Sequence, residues 1–348
     1  MQQYNPKEAA KKNNPELNMD PEDFPEIFIK NQYDKYVFSD VAGPGPYYDY
    51  YYTLAKNINN AKIYWKPLFK KEDKMKAFEI EGDDIIFLTA KGASNYKICK
   101  TSLINPNVDH PEVLVDEDST ATITDFVKTK KGLFFVKTKN GVDAKLYCLE
   151  AGKFREVPIP NSAGYIDVIS KSPEYNDLWI ETRGWTNKKK RYKYSWIKNK
   201  FITQELNKTT TYSNFENVII KEIEIPSHDG TLVPLSLIYN KDLKLNGTNR
   251  VLLHGYGVYG LSRKPKMSDI DAFSSLLAEG GVFGKKKLNT PKTTEAMATI
   301  INVLDNIPAA IFASESHLKT KLMAKPAIIQ PIVPQTLTIG NCFAGSFI

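Results

Sequence analysis

The chain has little of what metal and nucleophile chemistry most often needs: three cysteines and four histidines in 348 residues. Cys99, Cys148 and Cys342 are odd in number and have no C-x-x-C or Cys/His spacing, so they point to neither a disulfide framework nor a zinc site. No G-x-S-x-G occurs, so the sharp turn that presents a nucleophilic serine in an α/β-hydrolase is missing in its usual form. No apolar run approaches the length of a membrane span. The opening residues, MQQYNPKEAAKKNN, lack the apolar centre of a signal peptide. The expectation is a cytoplasmic protein without membrane contact, subject to any longer chain that precedes it. An excess of one charge is also largely missing. Formal net charge is +7, but lysines and acids alternate, and the tracts Lys188–Arg191 and Lys285–Lys287 are short. With no nucleic-acid motif beside them, they read as solvated surface rather than as a nucleic-acid patch.

What is present is a repeat. Residues 1–34 are rich in Asn, Lys, Glu and Pro and read as a lead-in, where Asp20-Pro21 and Phe24-Pro25 oppose a continuous helix. From residue 35, Val37, Ile85, Leu133 and Leu178 each open a short apolar strand, at intervals of 48, 48 and 45 residues. Ile85–Lys91 runs through Gly92 into Asn95–Ile98, and Leu133–Lys139 runs through Asn140-Gly141 into Ala144–Tyr147. Each is strand, glycine-containing turn, strand, and Asn-Gly is a strong hairpin signal. Hairpins at this period predict β-propeller blades of four strands, four of them between about 35 and 215. The aromatic run Tyr47–Tyr52 has two readings: strand residues of a blade, or a stacking platform for bases. Gly184-Trp185-Thr186 and Tyr192-Lys193-Tyr194 fall in the last blade.

The stretch from Ile223 to Gly260 organises the rest. Ser227-His228-Asp229-Gly230-Thr231 is a turn with glycine where positive φ costs little. Val233–Tyr239 alternates as a strand, and Val251-Leu252-Leu253 is an apolar run of the kind buried on both faces of a parallel sheet. His254-Gly255-Tyr256-Gly257 follows at its carboxyl end, where open α/β sheets place their ligands. The combination S-H-D-G-T-x-V-P with a strand ending in L-H-G-Y-G resembles the prolyl oligopeptidase family of serine peptidases, at the point where its β-propeller hands over to its α/β-hydrolase domain. The resemblance runs from about Tyr36 to about Gly281. It implies a seven-bladed ring, of which this chain would hold about four blades, followed by an incomplete α/β-hydrolase domain. It implies action on short peptides after proline, with no metal or organic cofactor. The resulting division is 1–34 lead-in, 35–215 partial propeller, 216–284 start of the hydrolase domain and 285–348 a divergent tail. An incomplete ring is expected to leave two uncovered sheet faces.

Met267–Gly281 reads as a helix with Ser268 as N-cap, and Val282-Phe283 as the start of another strand. Beyond Gly284 the composition changes. All 19 tyrosines and 4 tryptophans lie before residue 260, and prolines break up Ala324–Pro334.

The chemistry is incomplete. A triad needs a nucleophile on the elbow, then an Asp and a His. The segment Leu337–Ser346 resembles the elbow in outline, but Phe343 falls at the nucleophile's position and Cys342 lies one residue early. Phe343 cannot attack a carbonyl; Cys342 reads as a plain thiol, with a cysteine-dependent hydrolase as the alternative. Ser346 lies two residues from the last residue given, and His110, His228, His254 and His317 all precede the elbow. Tyr256 matches the family tyrosine whose hydroxyl stabilises the oxyanion, and His254 reads as structural. Gly255-x-Gly257-x-x-Gly260 also fits a dinucleotide fingerprint, but Pro265 with the basic Arg263-Lys264 before it opposes the required helix. The expectation is therefore a peptidase relative that is itself inactive, with a non-catalytic propeller interaction module as the alternative.

Overall fold

The fold comes from a computed structural model. It describes most residues from 14 to 256, with 205–216 the longest gap, together with 264–265 and 282–287.

Four meandering antiparallel sheets follow one another. The first contains β1 (Phe24–Phe28), β2 (Tyr36–Ala42), β3 (Asp49–Leu54) and β4 (Lys66–Phe69); the second β5 (Met75–Glu81), β6 (Asp84–Thr89), β7 (Lys97–Ser102) and β8 (Glu112–Val115). The third contains β9 (Thr122–Thr129), β10 (Gly132–Lys139), β11 (Asp143–Glu150) and β12 (Lys153–Val157); the fourth β13 (Tyr165–Ile169), β14 (Trp179–Arg183), β15 (Lys190–Ser195) and β16 (Lys200–Thr203). These are the four expected propeller blades. The repeat residues Val37, Ile85 and Leu133 lie in the second strand of their sheets, and Leu178 lies immediately before its own. The segment read as a lead-in supplies β1.

The apolar runs have a simple cause. Ile85 and Phe87 face a core shared with the first sheet, while Ile86 and Leu88 face one shared with the third. In β10, Leu133 and Phe135 point toward the second sheet, and Phe134 and Val136 toward the fourth. A strand that alternates faces but is covered on both must be apolar at every position. Asn140 (φ 52°) and Gly141 (φ 73°) make the turn between β10 and β11, closed by the Val142 amide donating to the Lys139 carbonyl at 3.1 Å. Both lie in the left-handed region that Asn-Gly tolerates.

The tyrosine run is core, not a base-stacking platform. Tyr50, Tyr51 and Tyr52 are all buried. Tyr50 and Tyr52 face the second sheet, and the Tyr52 hydroxyl donates to the Leu103 carbonyl at 3.0 Å. The first sheet's other face departs from the expected exposure: Val37, Val41 and Tyr51 are covered by Leu17, Met19 and Trp65.

A fifth, mixed sheet contains β17 (Val218–Pro226), β18 (Leu232–Asn240), β19 (Val251–Tyr256) and β20 (Val282–Lys287), in the order β17-β18-β20-β19. β17 and β18 form the expected hairpin around Gly230 (φ 78°), and β20 starts where Val282-Phe283 predicted. β19 runs parallel to β20, which is antiparallel to β18. A parallel pair cannot be joined by a hairpin, and residues 257–281 separate these two strands in the chain. The expected helix Met267–Gly281 and the tail after 287 lie outside the described residues.

Candidate active site

The sequence places the site at the carboxyl end of β19, and that strand is longer than its apolar run. It continues through His254 and Gly255 to Tyr256, because each keeps a parallel partner in β20: Lys285, Lys286 and Lys287 respectively. Tyr256 is therefore the terminal residue of a strand in a mixed sheet, the position from which open sheets address ligands. Cys342, Phe343, Ser346, His228 and His317 lie outside the described residues. His110 is exposed in the loop between β7 and β8, where its amide donates to Asn107 Oδ1 at 3.1 Å. The other two cysteines are buried in blades, Cys99 in β7 and Cys148 in β11. Burial pushes the Cys99 thiol up to about 11 and raises that of Cys148, the opposite of nucleophile activation. Among the described residues, no three His, Cys, Asp or Glu side chains are placed to share a metal ion.

A polar cluster missed by sequence reasoning lies on the blades. β9 neighbours both β5 and β13, so the first strands of successive sheets approach one another. Asp125 in β9 accepts the Val168 amide of β13 through Oδ2 at 2.8 Å and the Phe126 amide through Oδ1 at 2.9 Å. Burial, aided by the nearby Asp167 charge, pushes its carboxyl up to about 6 in spite of those bonds. The Tyr165 hydroxyl donates to Asp167, and Arg183 reaches Asp167 at 3.4 Å. Burial, then that Asp167 bond, drives the phenol pKa upward.

Glu181, 3% exposed, receives Arg183 at 2.6 Å, Lys189 at 2.7 Å and Arg191 at 3.2 Å. Its burial opposes the charge, but the hydrogen bonds from Lys189, Arg183 and Arg191 outweigh it and hold the carboxyl below its ordinary range. Two members of the basic tract 188–191 are thus paired with an internal acid. Lys264, eight residues beyond Tyr256, stands over the Tyr165 ring with Nζ 3.6 Å from its centroid. A faint sequence signal existed: Glu26, Asp125 and Asp167 occupy corresponding places in three of the four first strands, opposite Asp40, Val136 and Glu181.

Comparison with known proteins bears on these features. A family model described as "Prolyl oligopeptidase, N-terminal beta-propeller domain" matches residues 27–202. The chain is 25% identical over 243 residues to a prolyl endopeptidase of Elizabethkingia meningoseptica, covering 66% of this chain and 33% of the relative. It is 22% identical over 218 residues to the prolyl oligopeptidase ophP of Omphalotus olearius, covering 62% and 29%. A solved structure from a study of two prolyl endopeptidases superposes with a TM-score of 0.70 at 18% identity, over 82% of this chain and 43% of that one. Oligopeptidase B from Leishmania major gives 0.66 at 16% identity, over 84% and 45%. The chain spans about a third of the curated relatives' length.

Proposed function

The chain belongs to the prolyl oligopeptidase family, and on that premise we propose that it comprises blades of the family's propeller and the first strands of its α/β-hydrolase part. The observation that carries this reading is the mixed sheet β17-β18-β20-β19, whose first strand starts at Val218, 15 positions after the last blade ends at Thr203, and whose β19 ends on Gly255-Tyr256. The structural likeness covers 82% of the chain, more than the four blades alone occupy, and this supports extending the resemblance into the mixed sheet. The boundaries we propose are 35–215 for the blades and 216–284 for the hydrolase start, with β1 and the end of β20 adding a few residues to each. Residues 1–34 are otherwise lead-in and 285–348 a divergent tail.

In the whole protein, the substrate is a short peptide cut after proline, and Tyr256 donates its hydroxyl to the oxyanion of the tetrahedral intermediate. A donor at the end of a paired strand, next to a glycine that leaves room for substrate, is held in place before charge develops. These 348 residues by themselves do not hydrolyse peptides. They carry no G-x-S-x-G, and Phe343 occupies the elbow position with Cys342 before it. Without a nucleophile and its base, only oxyanion and binding contributions remain. The test is hydrolysis of a chromogenic Gly-Pro amide by the purified chain. Saturable turnover that a serine-directed phosphonate abolishes would overturn the reading.

A second reading, a non-catalytic propeller used for interaction, is favoured by the cover that Leu17, Met19 and Trp65 place over the first sheet. It requires the blades to keep a cooperative melt after deletion of the residues following Gly284.

A further inference from the structure

Gly164 has an unusual reason to be glycine. Its φ is not in the left-handed region, and its amide makes an ordinary bond to the Arg183 carbonyl at 2.9 Å. Backbone conformation therefore does not demand the residue. Space does: a Cβ built there would lie 2.5 Å from Pro265 Cγ, 2.8 Å from Pro265 Cβ and 3.0 Å from the Val142 carbonyl oxygen. Pro265 is buried against this spot. The next residue on the blade, Tyr165, meets the residue preceding that proline. Lys264 Nζ lies 3.6 Å from the Tyr165 ring centroid, close enough for a strong cation–π contact. The ring's hydroxyl is fixed by donation to Asp167, and Arg183 stands over the same ring at 5.6 Å. Burial lowers the pKa of the Lys264 ammonium, Asp167 and Asp125 partly offset this by attracting the charge, and Arg183 and Lys76 add to the lowering.

We propose that Gly164-Tyr165, at the entrance to β13, is a seat for the dipeptide Lys264-Pro265, fastening the chain that leaves Tyr256 to the last blade. The proline fills the space of a missing side chain and the lysine caps the aromatic ring beside it. Two adjacent residues thus meet two adjacent residues about 100 positions away, each pair by a different physical contact. The seat rests on the two-part reading above only in taking residues beyond β19 as a unit that must be held against the blades. It tethers the chain eight residues beyond Tyr256 to the last blade.

The experiment is limited digestion of the full chain with trypsin, following by mass the cut after Arg263; the Lys264–Pro265 bond itself resists trypsin. Cleavage of a docked segment follows the population of its open form. Lys264→Gln, Tyr165→Leu and Gly164→Ala should each speed this cut by about three- to tenfold, whereas Lys264→Arg and Tyr165→Phe, which keep the cation and the ring, stay within about twofold of the parent. Cuts within β10, after Lys137, report whether a variant has unfolded its blades, in which case the Lys264 pair decides. Unchanged cleavage in Lys264→Gln, or equal acceleration in Lys264→Arg, overturns the seat. The readout does not depend on catalysis, so absence of the peptidase reading's activity leaves this test intact.

Discussion

Asp125 Oδ2 accepts the backbone amide hydrogen of Val168 at 2.8 Å, so a side chain of the third blade completes the backbone bonding of the fourth. Blades also join through apolar cores: Phe134, Val136 and Leu146 of one sheet pack with Ile166, Ile180 and Tyr192 of the next. Those cores resist separation but do not set direction. A hydrogen bond to a specific amide does, and its cost is a carboxylate held out of water.

That cost has a definite pH signature. Asp125 titrates near 6 in the folded protein and near 3.8 as a free side chain. Between those values the native state holds a proton that the unfolded state has lost, so this group's contribution to stability falls as pH rises and reaches its full penalty above pH 6. Asp125→Asn, which keeps an acceptor for Val168, removes the dependence. The stability of the parent relative to this variant should drop by about 1 kcal/mol from pH 5 to pH 7. Urea denaturation at the two pH values measures it, and a difference that does not change with pH would remove the assignment.

Leu17 lies outside the repeat yet is 4% exposed against Val37, Val41, Tyr51 and Trp65. Leu17→Ala is expected to destabilise the chain by about 2–4 kcal/mol, a core-sized loss. A surface-sized loss in the denaturation midpoint would mean that the first sheet does not depend on this cover.

Ala151 sits at φ 49° beside Gly152 at φ 74° in the tight turn joining β11 to β12. An L-residue with a Cβ is strained there. Ala151→Gly should therefore raise stability by about 0.5–1 kcal/mol, although it removes a side chain and frees the unfolded backbone. A drop in melting temperature would contradict this.

Cys99 and Cys148 are fully buried, and their thiols are shifted upward by desolvation. At pH 8 in native buffer, iodoacetamide should leave both unmodified over a period in which urea-unfolded protein is labelled at each. Peptide mass mapping distinguishes the sites. Fast native labelling of either cysteine would show that its blade opens.

Much of the architecture could be read from short-range pattern. Asn140-Gly141 specified a turn because few other pairs tolerate two positive φ values, and the intervals among Val37, Ile85, Leu133 and Leu178 marked one strand per blade because each blade buries the same strand on both faces. The site was legible only in its backbone. Val251–Leu253 was readable as a strand with His254–Gly257 following its end, but the strand's continuation through Tyr256 followed from pairing with β20, some 30 residues later. Tyr51 illustrates the limit: its type suited strand or stacking platform alike, and only contact with Leu17 and Trp65 decided between them.

By itself, then, the sequence determined repeat, hairpins and family resemblance, because backbone propensity and alternation act between neighbours. Tertiary structure decided the cover over the first sheet, the raised carboxyl of Asp125 and the meeting of Gly164-Tyr165 with Lys264-Pro265. Burial, electrostatic coupling and steric fit depend on distance in space, and between residues about 100 apart no local pattern encodes that distance.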